Sequence, residues 1–157
     1  IQAASIHRLG EVSPSAYSHP TTPPLPCQRA KIMSAIGYKN LHVLDGMLAK
    51  PWHPNLIHLL KWLAVRRHSG QLVITSAWRP RKIHPNDSGI HMTDPLRAFD
   101  IRSRLFDYPD LVCQDINWHW LYDPERPWMN CCVYHDTGRG FHFHIQAHDR
   151  TCERKRG

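Results

Sequence analysis

No run of about 18 apolar residues occurs in the chain, so no segment is long enough to cross a bilayer as a helix. The opening residues lack a charged segment followed by an apolar one, and no export signal is expected there. No two cysteines are spaced C-x-x-C, and five of them (Cys27, Cys113, Cys131, Cys132 and Cys152) make an odd number for a disulfide framework. Adjacent Cys131 and Cys132 point to opposite faces of a strand and cannot clasp one metal together. They read as small buried apolar groups. A Gly-rich phosphate loop, zinc-finger spacing and an RNP-like aromatic motif are all missing, which leaves a nucleic-acid-binding role resting on charge alone. Acidic residues are also scarce. Against 20 Lys and Arg stand 13 Asp and Glu, for a formal charge of +7, a balance that suits an anionic partner.

What the chain does have is proline and histidine, 13 of each. Pro14, Pro20, Pro23, Pro24 and Pro26 fall in a stretch with no apolar period, so residues 1–30 read as an extended arm. One domain is expected over 31–149, and the basic segment "RTCERKRG", 150–157, reads as a solvated tail. Within the domain, 54–68 has a Pro start, a stripe of Leu56, Leu59, Leu60 and Leu63, and basic residues before Gly70; it predicts a helix. Shorter helices are expected over 41–50 and 109–121. "QLVITSAW" (71–78) and "RAFDIRS" (97–103) predict strands, and "CCVYHD" and "FHFHIQA" flank "TGRG" as a hairpin. This order predicts an α+β domain with helices packed on a mostly antiparallel sheet. "DPERP", 123–127, reads as a turn, and Trp118, Trp120 and Trp128 as core or cleft wall. The connection 79–96 is long for a compact domain, and loops of that length tend to be functional.

In "GFHFHIQ" the period of two places His142 and His144 on one strand face, opposite Phe141, Phe143 and Ile145. Period two likewise sets Asp100 opposite Phe99 and Ile101. A carboxylate in an apolar strand is costly unless paired or metal-bound. A catalytic zinc takes three protein ligands and keeps one position open. His144 can supply one, Asp100 a second, and the long loop a third through His84 or His91. Ser88 and Asp94 are candidate acceptors for ligand imidazoles, and His135, on the neighbouring hairpin strand, can line the cleft.

"SGIHMTDPLRAFDI" followed by "GFHFHIQ" resembles the zinc peptidases of the D-Ala-D-Ala carboxypeptidase and murein endopeptidase group, whose fold also serves phage endolysin peptidases and the hedgehog signalling domain. The resemblance covers roughly residues 54–148. It implies a hedgehog/DD-peptidase-like fold, one zinc ion held by His91, Asp100 and His144, and Arg79 of "TSAWRP" binding the substrate. Two departures stand out. His91 and Asp100 are nine apart where the family has seven, through an apparent insertion carrying Pro95. The family's general-base Glu, three before the last His, is replaced by Phe141; the branch with His-x-His places His142 in the catalytic role. The resemblance thus implies hydrolysis of peptidoglycan peptides by a wall-directed enzyme of phage type, carried by a virion or released on lysis. The alternatives are a non-catalytic zinc-binding module of the same fold and, more weakly, a basic nucleic-acid binder.

Overall fold

The structure is a computed structural model and describes residues 36–66 and 71–155. The expected arm over 1–30, Cys27 and the end of the expected helix at 67–68 lie outside the described residues. In chain order the elements are β1 (Ile36–Tyr38), α1 (Leu41–Leu48), α2 (Pro54–Arg66), β2 (Leu72–Ser76), β3 (Ala98–Arg102), α3 (Pro109–His119), β4 (Trp120–Leu121), β5 (Cys132–Asp136), β6 (Phe141–Gln146) and β7 (Cys152–Glu153). The fold is α+β. Its five-stranded sheet runs β1-β2-β3-β6-β5, with β1 parallel to β2 and the other neighbours antiparallel.

Local chemistry explains the boundaries. Asn40 caps α1, its side chain accepting the Val43 N–H at 3.0 Å. A Cβ on Gly46 would stand 2.7 Å from the Trp78 carbonyl oxygen, so α1 approaches the chain beyond β2 at glycine distance. The Leu56, Leu59, Leu60 and Leu63 stripe of α2 is buried throughout. It shares one cluster with Ile74, Phe99, Ile101, Phe143 and Ile145, the apolar faces of β2, β3 and β6. Alternation along β3 and β6 therefore leaves the opposite face of the sheet to Asp100, His142 and His144.

The edge strand β5 is covered from the side by α3. The Asn117 side chain donates to the Cys132 carbonyl at 2.8 Å and accepts the Cys132 N–H at 2.9 Å. One turn earlier, the Cys113 sulfur lies over the same strand, 3.4 Å from the Cys132 carbonyl. Helix side chains thus take hydrogen bonds that a further strand would otherwise have offered.

Three differences from the sequence reading have physical causes. The short strands β1, β4 and β7 carry too few residues to show a period. Part of the segment from 150 is held in the fold: Thr151 is buried and bonded to the Tyr122 carbonyl, and Cys152 pairs with Leu121 in the β4–β7 ladder, while Arg150, Glu153, Arg154 and Lys155 are exposed. Arg150, itself exposed, pairs with Asp123 and Glu125. Trp120 is core as expected, whereas Trp118 and Trp128 stand exposed. The turn expected over 123–127 forms, with the Arg126 and Met129 N–H groups donating to the carbonyls of Asp123 and Arg126.

Candidate metal centre

β3 and β6 pair so that Asp100 lies directly opposite His144, and Arg102 opposite His142. β5 places His135 opposite His142 on the other side. The third ligand reaches this sheet face from the long connection. Gly89, at φ +79°, opens a 3-10 turn over Ile90–Met92, and the Arg79 N–H donates to the His91 carbonyl at 3.0 Å. The rest of the loop is tied down on both sides of the cis Asp94–Pro95 bond. Lys50 pairs with Asp94 at 2.7 Å, Leu96 is fully buried, and its N–H donates to the Pro51 carbonyl. The segment between His91 and Asp100 is thus anchored to the α1–α2 connection.

His91, Asp100 and His144 converge into one group that can hold a metal ion, their ligand atoms all within 4.8 Å of one another. His91 Nε2 lies 3.3 Å from both Asp100 Oδ1 and His144 Nδ1, and His144 Nδ1 lies 2.8 Å from Asp100 Oδ1. Ligands about 2.0–2.1 Å from a tetrahedral ion stand roughly 3.3 Å apart, so two of the three separations already match.

The hydrogen-bonding pattern also fits a cation. His91 is buried, and its Nδ1 faces the Ala77 carbonyl at 3.0 Å, an acceptor only, so Nδ1 carries the hydrogen. Neutral His91 then presents a lone pair at Nε2 toward a carboxylate oxygen and toward His144 Nδ1, whose single hydrogen Asp100 can take. A positive ion satisfies all three groups together. Burial alone would raise the Asp100 carboxyl, but the hydrogen bond from His144 and the nearness of the His91 and His144 imidazoles outweigh it and hold the group far below the usual carboxylate range. The ligand is thus ready in its charged form. Ala77, rather than Ser88 or Asp94, orients the imidazole: Ser88 accepts the Ile90 N–H, and Asp94 is committed to Lys50.

His142 stands beside this group. Its Nδ1 lies 3.2 Å from the Gly140 carbonyl, so the hydrogen sits there and the basic Nε2 faces Asp100 Oδ1 at 4.0 Å. The Gly140 carbonyl is positioned in turn by the hairpin loop, where Asp136 Oδ1 accepts the N–H groups of Gly138, Arg139 and Gly140. The His135 ring lies 4.7 Å from that of His142, and burial followed by repulsion from His142 and His144 keeps its pKa low. His84 is exposed in the loop and is not among the converging three.

Arg79, for which the resemblance implies a substrate role, has an acidic neighbour in the loop. Its guanidinium pairs with Asp87 at 3.1 Å, and Asp87 also accepts the Gly89 and Ile83 N–H groups, so the pair braces the loop that carries His91. Asp87 has no sequence signal beyond lying in the long loop. A cavity of about 460 Å³ is lined by Ile90, the chain neighbour of His91, and by Gln146, two residues along β6 from His144, and by none of the three candidate ligands. Arg97, Tyr122, His148 and Asp149 also line it, with Arg97 paired to Asp149 at 2.7 Å.

No protein-family model matches the chain, and no curated protein or solved structure matches it. No helix among the described residues is long and apolar enough to cross a membrane.

Proposed function

We propose that the protein is a zinc-dependent peptidase of the D-Ala-D-Ala carboxypeptidase and murein endopeptidase kind, with a hedgehog/DD-peptidase-like fold, acting on peptidoglycan peptides. The observation that carries this reading is the convergence of His91, Asp100 and His144 with the basic nitrogen of His142 beside them. A zinc ion held there supplies Lewis acidity toward a peptide carbonyl and acidifies water. His91 Nε2, Asp100 and His144 Nδ1 would hold it. His142 Nε2, its other nitrogen tied to Gly140, takes a proton from the attacking water and returns it to the leaving amine. This assigns His142 the work that a glutamate does elsewhere in the resembling group. The cavity lined by Ile90 and Gln146 receives the peptide, and Arg79, braced by Asp87, directs its remaining donors to a substrate oxygen. The net positive charge draws the protein to an anionic wall.

A non-catalytic module of the same fold is the second reading, and the pairing of Arg79 with Asp87 favours it. The two part in one experiment. The full chain is expected to carry about one zinc and to hydrolyse muropeptides, with His144→Ala lowering metal content at least tenfold. His142→Ala is expected to keep the metal and lose at least about a hundredfold in turnover. Full zinc in the wild type with no muropeptide cleaved establishes the module instead, and full zinc in His144→Ala removes the site.

A further inference from the structure

We propose that the cavity lined by Ile90 and Gln146 is a binding site for a zwitterionic amino-acid end, an ammonium and a carboxylate on one carbon, held by Asp149 and Arg97. Resting on the peptidase reading, the site narrows the substrates to peptides carrying a diamino dicarboxylic acid, whose side chain ends in both charges.

Each of the two protein charges is pinned at one atom and keeps its remaining atoms for a ligand. Asp149 Oδ1 accepts from Arg97 Nη2 at 2.7 Å and lies 2.9 Å from His53 Nε2. The Asn55 N–H donates to His53 Nδ1 at 3.2 Å, so Nε2 carries the ring hydrogen and donates it to the carboxylate. His53 is buried, and the Asn55 side chain donates to the carbonyls of both His148 and Asp149. The backbone that carries the carboxylate is thereby fixed to the start of α2. Asp149 Oδ2 has no hydrogen-bond partner among the described residues, nor have Nε and Nη1 of Arg97. The Asp149 side chain is 64% exposed, which leaves Oδ2 open to an incoming donor.

Charge selects the ligand. Arg97 and Asp149 together are neutral, so a lone ammonium meets the repulsion of Arg97 and a lone carboxylate that of Asp149. A ligand with both groups sets its ammonium on Asp149 Oδ2 and its carboxylate on the remaining Arg97 donors, and the four charges alternate. Tyr122 and Met129 in the cavity wall give the methylene stem an apolar surface. The position also suits a substrate of the metal centre. Ala98 pairs with Gln146 and the Ala147 N–H donates to the Arg97 carbonyl, so Arg97 stands at the end of the β3–β6 ladder that carries Asp100 and His144. Arg97 precedes Asp100 by three residues, about 10 Å of strand, a span that an extended peptide covers in about three residues.

The test is an NMR titration of the full chain with three single-residue probes capped at the backbone amine and carboxyl, so that only the side chain differs. Diaminopimelate presents both charges, lysine the ammonium alone and 2-aminopimelate the carboxylate alone. Diaminopimelate is expected to bind at least about tenfold more tightly than the other two, with the Ile90 and Asp149 amide signals shifting. Asp149→Asn keeps an acceptor for Arg97 and His53 and is expected to abolish that preference. Similar affinity for all three probes, binding of none, or a preference that survives in Asp149→Asn overturns the site. The wild-type comparison decides by itself if the variant does not fold. Muropeptide cleavage by the same protein is read separately. Cleavage without the probe preference keeps the peptidase and removes the site, whereas the preference without cleavage keeps the site and removes the peptidase.

Discussion

A neutral imidazole has one hydrogen and one lone pair, and the nitrogen bearing the hydrogen decides which way its basicity points. At His91 and His142 a backbone carbonyl makes that choice, through Ala77 and Gly140 respectively, and both lone pairs turn toward Asp100. A second carboxylate shows the same logic used for stability. Asp123 is fully buried, and burial alone would raise its carboxyl. Hydrogen bonds from Arg126, the Glu125 N–H and Arg150 outweigh this and hold it at about 2. Its folded value lies below the ordinary value of 3.8, so the unfolded chain binds the proton more readily. Its stabilising contribution is therefore complete above about pH 4 and fades as pH falls toward about 2. Asp123→Asn is expected to melt at lower temperature than the wild type near neutral pH, with the gap closing across that acid window. Thermal melts recorded as a pH series check this, and a gap that does not change with pH would assign the loss to packing instead of charge.

Elements depend on partners that a linear pattern does not reveal, and β5 shows this most directly. Its outer edge is completed by the Asn117 side chain. Asn117→Leu keeps similar volume but strands two backbone polar groups, at about 1–3 kcal/mol each. A total loss of about 2–6 kcal/mol is expected from urea unfolding, with Asn117→Asp intermediate because it retains the acceptor. A change below about 0.5 kcal/mol would mean that water takes over the edge. In the sequence Asn117 is only one polar residue in a helix, and nothing in the spacing links it to Cys132. By contrast, the faces of β3 and β6 were legible, since period two alone separates Asp100, His142 and His144 from Phe99, Ile101, Phe143 and Ile145. The long helix was legible for the same reason, through its leucine stripe. The choice of His91 over His84 came from the resemblance, because a loop has no period to orient a side chain. Strands β1, β4 and β7 fall below the length at which alternation can be read. The charges around Thr151 and Cys152 hid a short ladder behind the look of a solvated end.

Across the whole molecule, the candidate ligands join parts that the chain brings together only on folding. His91 belongs to the β2–β3 connection, Asp100 to the second strand of the sheet's antiparallel portion, and His144 to the β5–β6 hairpin. An ion bound by all three would tie the long loop to the centre of the sheet, and the unfolded chain has no such preformed site. Ligand that binds only the native state stabilises by RT ln(1 + [L]/Kd), about 2.7 kcal/mol at a hundredfold excess over Kd. For a domain of this size that corresponds to a rise in melting temperature of roughly 10 °C. Stripping the protein with a chelator is therefore expected to lower its melting temperature by about that amount, and added zinc should restore it. His144→Ala, which removes one ligand from the middle of β6, should melt at the same temperature with or without zinc. His142→Ala should retain the zinc-dependent rise, because His142 contributes its basic nitrogen beside the group of three. Calorimetry on the three proteins, each with and without zinc, separates the roles: an undiminished rise in both variants would mean that the metal is held elsewhere, and loss of the rise in His142→Ala would make that residue a ligand.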